Sequence, residues 1–376
     1  MKNYYTFLML LVFVATFGQA PAGYYTTATG TGYALKTQLK TIVSNDNISI
    51  TSGGYGGLWT LYATQLRDNF TAYDNDNSLF DIYSENPTGP DPYNFTSTAQ
   101  QDNGSTCAEG GCYNREHLIP QSYFDSFNLY PMRNDAHHVV PSDKVVNAER
   151  GNFPFGKVAT ATYTSQNGSK KGNNLNSGYS AGYSSTVFEP LDDFKGDVAR
   201  SFFYFATRYE DNMDEFYTTT SATTYCKAMF DGSINKVFST TFLNILLTWN
   251  AQDPVSAKEI SFNNKIYTYQ GNRNPFIDNN SYVTTIWGLP LSINSFDLST
   301  AVSVYPNPTN DNKINIQTTA TLEEIDLINI NGQLIQILKN PTSNNSTYTL
   351  ENLPKGFYFL QLKSENQSVT KKVIVN

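Results

Sequence analysis

The period of the apolar pattern changes near Leu291, and this change constrains the fold more than any other feature of the chain. Before it, apolar residues recur at helical spacing. Leu35, Leu39 and Ile42 form one such set, and Leu58, Tyr62 and Leu66 another. A longer helix is expected from about Asp193 to Tyr209, with two Asp near its start and a stripe of Val198, Phe202, Phe205 and Tyr209. After Leu291, apolar and polar residues alternate, as in Lys313–Gln317, Glu324–Ile330 and Phe357–Leu362, the pattern of strands with one buried face. Asn331-Gly332 between two such runs signals a tight hairpin. The two patterns follow one another rather than interleave, which predicts an α+β chain of separate domains. A mixed helical domain is expected over 22–292, a linker over 293–301, and a small antiparallel all-β sandwich over 302–376. A Gly/Asn/Ser-rich stretch near 165–186 is the one low-complexity interruption of the first domain.

The first residues carry an export pattern. Lys2 precedes an apolar run from Phe7 to Phe17, and the small residues Gly18 and Ala20 follow, so residues 1–20 read as a signal peptide. The run is too short to span a bilayer and no later stretch is apolar enough, so a secreted protein without a membrane span is expected. In an oxidising compartment Cys107 and Cys112, which enclose Ala-Glu-Gly-Gly, read as a local disulfide. Zinc has weaker support because no further Cys or His pair completes four ligands, and the sequence alone leaves the pairing open. Cys226 is then left as a buried thiol.

The chain has three histidines, and all lie between His117 and His138. The apolar runs Glu116–Ile119 and His138–Val140, each ended by proline, predict two strands. Ser142 or Asp143 then caps a short helix that stops at Gly151. Asn147 and Arg150, three apart, share a face of that helix. Glu116 and His117 are neighbours, so a bulge or a strand end is needed for both to serve one site. An imidazole, a carboxylate, an amide oxygen and a guanidinium are the groups phosphodiester hydrolysis needs: a base near neutral pKa, hard ligands for a cation, and a clamp on phosphate.

The segments NREHLIPQSYF and VVPSDKVVNAERGNFPFG resemble the bacterial endonuclease I family, a branch of the ββα-metal (His-Me finger) nucleases. The resemblance continues in order through FEPLDDFKGDVARSFFYFATRY, LLTWNAQDPVSAKE and IYTYQGNRNPFID, from about Tyr24 to Trp287. It implies a mixed helical domain built around a ββα-metal motif. In that motif His117 is the general base, and Glu116 and Asn147 hold one divalent ion, usually Mg2+, with Mn2+ or Ca2+ as substitutes. Arg150 and Asn152 match the same signature and would bind phosphate or brace the site. Arg150 is placed with His117 in the catalytic set, and His137 is given a structural role. His138 is assigned none. Arg115, Arg133 and Arg273 are expected near phosphate, and Gln270 and Asn274 are expected to support the site. In the tail, VSVYPNPT, IDLININGQLI and LPKGFYFLQL…KKVIVN resemble the C-terminal sorting domain of type IX secretion substrates, which implies that machinery as a partner and export to the medium or cell surface.

The resemblances together imply a secreted, monomeric, metal-dependent endonuclease. It would hydrolyse DNA and RNA with little sequence preference and leave 5′-phosphate ends. A net charge of −8 and a pI of about 5.0 run against a polyanion binder unless a local basic cleft exists. Arg115, Arg133, Lys144, Arg150 and Lys157 surround the motif, with Asp135, Asp143 and Glu149 among them. A zinc peptidase is disfavoured because no second His follows His117 at helical spacing, and a serine or cysteine hydrolase lacks a nucleophile elbow. The alternative is a non-enzymatic surface adhesin or binding protein.

Overall fold

The computed structural model describes residues 20–45, 54–124, 131–218, 224–288, 302–318, 320–364 and 367–376. The expected signal segment, apart from Ala20, and the expected linker at 293–301 lie outside these residues. The chain divides into two units, one ending at Gly288 and one beginning at Leu289. No helix among the described residues is long and apolar enough to cross a membrane.

In the first unit, α1 (Gly32–Val43) and α2 (Gly57–Thr64) precede the ribbon of β1 (Tyr113–His117) and β2 (Val139–Asp143), which leads directly into α3 (Lys144–Arg150). The three-stranded sheet of β3 (Val158–Thr164), β4 (Lys170–Asn174) and β5 (Thr186–Glu189) follows in the order β3-β4-β5. The rest is helical: α4 (Lys195–Arg208), α5 (Glu215–Thr218), α6 (Thr224–Met229), α7 (Thr240–Gln252), α8 (Ala257–Gln270), α9 (Pro275–Asp278) and α10 (Ser281–Trp287). The Gly/Asn/Ser-rich stretch near 165–186 is not a linker. It contributes β4, and buried Asn174 donates to the Ser180 and Tyr183 carbonyls, so polar side chains replace an apolar core there.

The long central helix α4 begins two residues later than its sequence pattern suggests, because Asp192–Phe194 form a 3-10 turn. Val198, Phe202, Phe205 and Tyr209 are all buried, and α4 packs against α1 and α7. Burying each such side chain stabilises the fold by roughly 1.5–3 kcal/mol. Helix α8 has both ends specified in the sequence. Ser256 and Glu259 close a capping box, and Gly271 (φ +88°) takes the left-handed conformation that ends the helix. The β1–β2 ribbon lies between two apolar clusters. Tyr113 and Val139 pack with Leu58, Leu61 and Tyr62, whereas Leu118, Ile119 and Val146 join the main core around α4.

In the second unit β6 (Ser303–Tyr305), β7 (Ile314–Gln317) and β10 (Thr347–Leu350) form one antiparallel sheet in the order β10-β7-β6. Strands β8 (Glu324–Asn329), β9 (Leu334–Lys339), β11 (Gly356–Ser364) and β12 (Gln367–Val375) form the other, in the order β12-β11-β8-β9. Ile314, Ile316, Tyr348 and Leu350 from the first sheet share a core with Ile325, Leu327, Leu360, Leu362 and Val373 from the second. The alternation along β11 is literal: Tyr358, Leu360 and Leu362 are buried while Phe357 and Phe359 are exposed. Asn331-Gly332 turns β8 into β9, with Gly332 at φ +79°.

Candidate active site

The ribbon pairs antiparallel in a register that sets His117 opposite Val139 and Tyr113 opposite Asp143. The strands sit differently from the sequence expectation. β1 starts at Tyr113 and ends at His117, leaving Leu118 and Ile119 outside, while Pro141 to Asp143 belong to β2. Proline was read there as a strand terminator, but Pro141 lies opposite Arg115 within the pairing. His117 is thus the last residue of β1, so it escapes the strict alternation that would turn it away from Glu116.

Asp143 is the N-cap of α3, and its Oδ1 accepts from the Val145 and Val146 amides. Its Oδ2 accepts from Gly110 N, inside the loop closed by the Cys107–Cys112 disulfide. Cys226 is buried and outside the disulfide, and its thiol donates to the Phe216 carbonyl. The helix therefore starts at a position fixed from two sides and lays Asn147 and Arg150 across β1. Asn147 Nδ2 donates to the Arg115 carbonyl at 3.3 Å, and Arg150 donates to the His117 carbonyl at 3.0 Å and to that of Leu118.

His117 is buried, and its Nε2 lies 3.2 Å from the Arg133 carbonyl. A carbonyl only accepts, so Nε2 carries the proton and the neutral ring presents Nδ1 as its basic nitrogen. Burial holds the His117 pKa well below 6.5, with the nearby His138 acting in the same direction. The Glu116 carboxylate is also buried. Its Oε1 takes the Tyr83 hydroxyl at 3.2 Å and lies 3.3 Å from Arg150 Nε, and desolvation pushes its pKa up to about 7. Both contacts fall on Oε1. Glu116 Oε2 and Asn147 Oδ1 have no hydrogen-bond donor among the described residues. Two hard oxygens without partners beside a neutral imidazole suit a hard divalent cation.

The other sequence-selected residues divide into two groups. Arg150 is fully buried, lies over the Phe155 ring, and is spent on Glu116 and backbone carbonyls, which makes it a brace for β1. Arg273 does not fit the phosphate-binding expectation. It is buried and makes a two-point ion pair with Asp278, both contacts at 2.7 Å. Lys144 pairs with Asp102 and Lys157 with Glu189, so the expected basic cleft shrinks. Arg115 and Arg133 remain without a carboxylate partner among the described residues, and both guanidinium groups lie over the Tyr55 ring, at 3.4 and 4.3 Å from its centre. Tyr55 itself lies 5.7 Å from the His117 ring. Sequence reading passed over this tyrosine, although its Gly-Gly-Tyr-Gly-Gly setting, an aromatic with no bulky neighbours, is a local signal. Asn152 is exposed, and its carbonyl accepts the Tyr123 hydroxyl.

The remaining polar residues hold the loop that precedes β2. His137 Nε2 contacts the Asn272 carbonyl at 3.2 Å, and His138 Nε2 contacts that of Met132 at 2.7 Å. Gln270 donates to Asp135 and accepts from Ala136 N, while Asn274 caps α9 and donates to the Arg200 carbonyl. Asp135 also receives the Tyr204 and Tyr209 hydroxyls from the α4 region, which ties the loop to the central helix.

Residues 31–281 match the Endonuclease I family. The chain belongs to the endonuclease I family. Residues 303–376 of this family member match the secretion system C-terminal sorting domain, the tail of type IX secretion. An extracellular ribonuclease of Bacillus amyloliquefaciens is 33% identical over 70% of this chain and 78% of its own length. An extracellular ribonuclease of Bacillus subtilis is 32% identical over the same shares. A solved chain from work on PorZ, a surface component of the type IX secretion system of Porphyromonas gingivalis, is 17% identical over 23% of this chain and 12% of that one, with a TM-score of 0.18. That similarity is too slight to inform the fold. The endonuclease I protein is a nuclease carrying a sorting tail for secretion or the cell surface.

Proposed function

We propose that this nuclease is an extracellular, largely sequence-non-specific endonuclease that hydrolyses phosphodiester bonds of DNA and RNA and leaves 5′-phosphate ends. The observation that carries the reading is the ββα arrangement at the site. There a neutral His117, with Nδ1 free to accept, lies at the end of the strand holding Glu116, while Asn147 reaches the same strand from α3. In this reading the unit is a His-Me finger.

His117 Nδ1 accepts the proton of an attacking water, and the Arg133 carbonyl holds the ring in the tautomer that makes this work. Glu116 and Asn147 would hold a divalent cation, Mg2+ in our reading, with Mn2+ or Ca2+ able to take the same oxygen donors. Bound there, the cation would supply stabilisation of the negative charge that develops at phosphorus and on the departing 3′ oxygen. Arg150 fixes the carbonyls flanking His117 and balances the charge of Glu116. Arg115 and Arg133 take the phosphates, and the Tyr55 ring against which both guanidinium groups pack holds them beside His117. Nothing in this chemistry uses a 2′-hydroxyl, so DNA and RNA are both substrates, and the two relatives named as ribonucleases support the RNA activity.

The test is cleavage of supercoiled plasmid and of RNA with Mg2+ or with EDTA, by the wild type and by His117→Ala. Metal-dependent cleavage lost by at least about a thousandfold in the variant supports the assignment. Cleavage surviving in the variant moves the base elsewhere. A folded wild-type protein that cuts nothing with any divalent metal would leave the adhesin reading in its place.

A further inference from the structure

Away from the ββα unit, the segment from Asp68 to Asp91 gathers five carboxylates. Oxygens of Asp68, Asp74 and Asp76 lie within 4.8 Å of one another, and so do oxygens of Asp74, Glu85 and Asp91, so Asp74 joins the two sets. Acidic side chains crowd on many protein surfaces without holding anything, and the exposed Asp74 and Asp76 alone would mean little. Glu85 is different. Its residue is 0% exposed, and neither carboxylate oxygen has a hydrogen-bond partner. The charged groups acting most strongly on it are Asp91, Asp68, Asp74 and Asp76, all of its own sign. Among the described residues, none of the five makes an ion pair with Lys or Arg. A buried carboxylate facing four others with no counter-charge is a costly arrangement unless a cation completes it.

The backbone is already arranged around these oxygens. Asp68 accepts from the Phe70 and Asn75 amides, Asp76 from Ser78 N, and Asp91 from Asn86 N. Those contacts orient the carboxylates while leaving Glu85 with none of its own. Carboxylate oxygens within 4.8 Å of one another suit a large, hard cation that takes oxygen ligands at about 2.3–2.6 Å and completes its shell of six to eight with backbone oxygens and water.

We propose that Asp74, Glu85 and Asp91, whose oxygens lie within 4.8 Å of one another, form a Ca2+ site distinct from the catalytic centre, with Asp68 and Asp76 adding negative charge beside Asp74. The site shares no residue with the ββα unit, yet it is mechanically joined to it. Glu85 N donates to the Asp81 carbonyl, closing a turn whose Asp81 Oδ2 accepts from Asp143 N and whose Tyr83 hydroxyl reaches Glu116. Ca2+ at this position staples the 68–91 loop and so holds the turn that positions the α3 N-terminus and the Glu116 carboxylate.

The test is calorimetric titration of Ca2+ into chelator-stripped full-length protein, with thermal melts in EDTA and in Ca2+. Wild type is compared with Asn147→Ala, Glu85→Gln and Asp74→Asn. Asn147→Ala should keep a Ca2+-binding event and a Tm rise of about 5 °C or more at a hundredfold excess over Kd. Adding Glu85→Gln to Asn147→Ala should abolish both. Asp74→Asn, an exposed change that leaves the core intact, should weaken the binding at least tenfold. The proposal is overturned if Glu85→Gln and Asp74→Asn bind Ca2+ like wild type, or if Asn147→Ala removes all Ca2+ binding and stabilisation. Because Asn147→Ala disables the proposed catalytic ligand set alone, a failure of the active-site reading and a failure of this one give different patterns.

Discussion

Two arginines that look alike in the sequence do different work. Arg150 is enclosed with Glu116 and the carbonyls of His117 and Leu118, so Arg150→Met should strand a buried carboxylate and cost about 3–5 kcal/mol in a urea melt. Arg115 is half-buried and stacked on Tyr55, so Arg115→Ala should leave the melt nearly unchanged. It should instead lower the slope of log K against log salt for duplex binding by about 0.9. If Arg115→Ala left that slope untouched, the phosphate contact would be disproved. The acid stability of the protein is set in part by His138. Burial holds its pKa at about 4, below the ordinary 6.5. The unfolded chain therefore takes up a proton near pH 6.5 that the native protein accepts only near pH 4. Stability is full above 6.5 and falls through that window by about 1.4 kcal/mol per pH unit, approaching about 3 kcal/mol in total. His138→Asn should flatten this dependence, and an unchanged pH profile of the urea midpoint would refute it.

At the scale of elements, α3 is placed by its beginning rather than by its length. Asp143 caps the helix with one oxygen and holds Gly110 with the other. Cys112, at the foot of β1, supplies the carbonyl that accepts from Lys144 N. The Cys107–Cys112 bridge thus fastens both ends of this small assembly. Removing it in a Cys107→Ser, Cys112→Ser double variant should cost about 2 kcal/mol, the amount expected for so short a loop. Asp143→Ala should cost about 1–2 kcal/mol through the lost cap. It should also raise the metal concentration needed for half-maximal cleavage, because Asn147 would no longer be held on β1. A metal titration that superimposes on wild type would show that the cap acts on stability alone.

At the scale of the molecule, each unit has its own apolar core. The described residues up to Gly288 pack around α4 and α2, and those from Val302 onward pack between their two sheets. A chain ending at Gly288 should therefore fold with an unfolding midpoint within about 2 °C of the corresponding transition in the full chain. It should cleave nucleic acid at the full-length rate, measured on the same plasmid. Loss of cooperative unfolding on truncation would refute the independence of the two cores. The net charge of −8 is compatible with a nuclease because Arg115 and Arg133 place two cations together against Tyr55, beside His117. Binding should accordingly be weak and strongly salt-sensitive rather than specific.

What the sequence determined by itself is what depends on local patterning. The helical stripe of α4, the alternation of β7, β8 and β11, the Asn331-Gly332 turn, and the stop of α3 at Gly151 were all legible, because near neighbours dictate them, while the cap was narrowed to Ser142 or Asp143 and the structure selects Asp143. The histidine cluster and its acidic and amide companions were legible as chemistry. The tertiary structure alone decided which charges remain available. Lys144 is consumed by Asp102 and Lys157 by Glu189, pairings that follow from how the chain folds back rather than from spacing, whereas Arg273 is consumed by Asp278 five residues on, across the turn into α9. It also decided that Tyr55, about 60 residues before His117, lies beside that ring, and that Glu85 is buried among four other carboxylates. Burial and long-range pairing depend on the whole packed core, so no window of sequence could have supplied them.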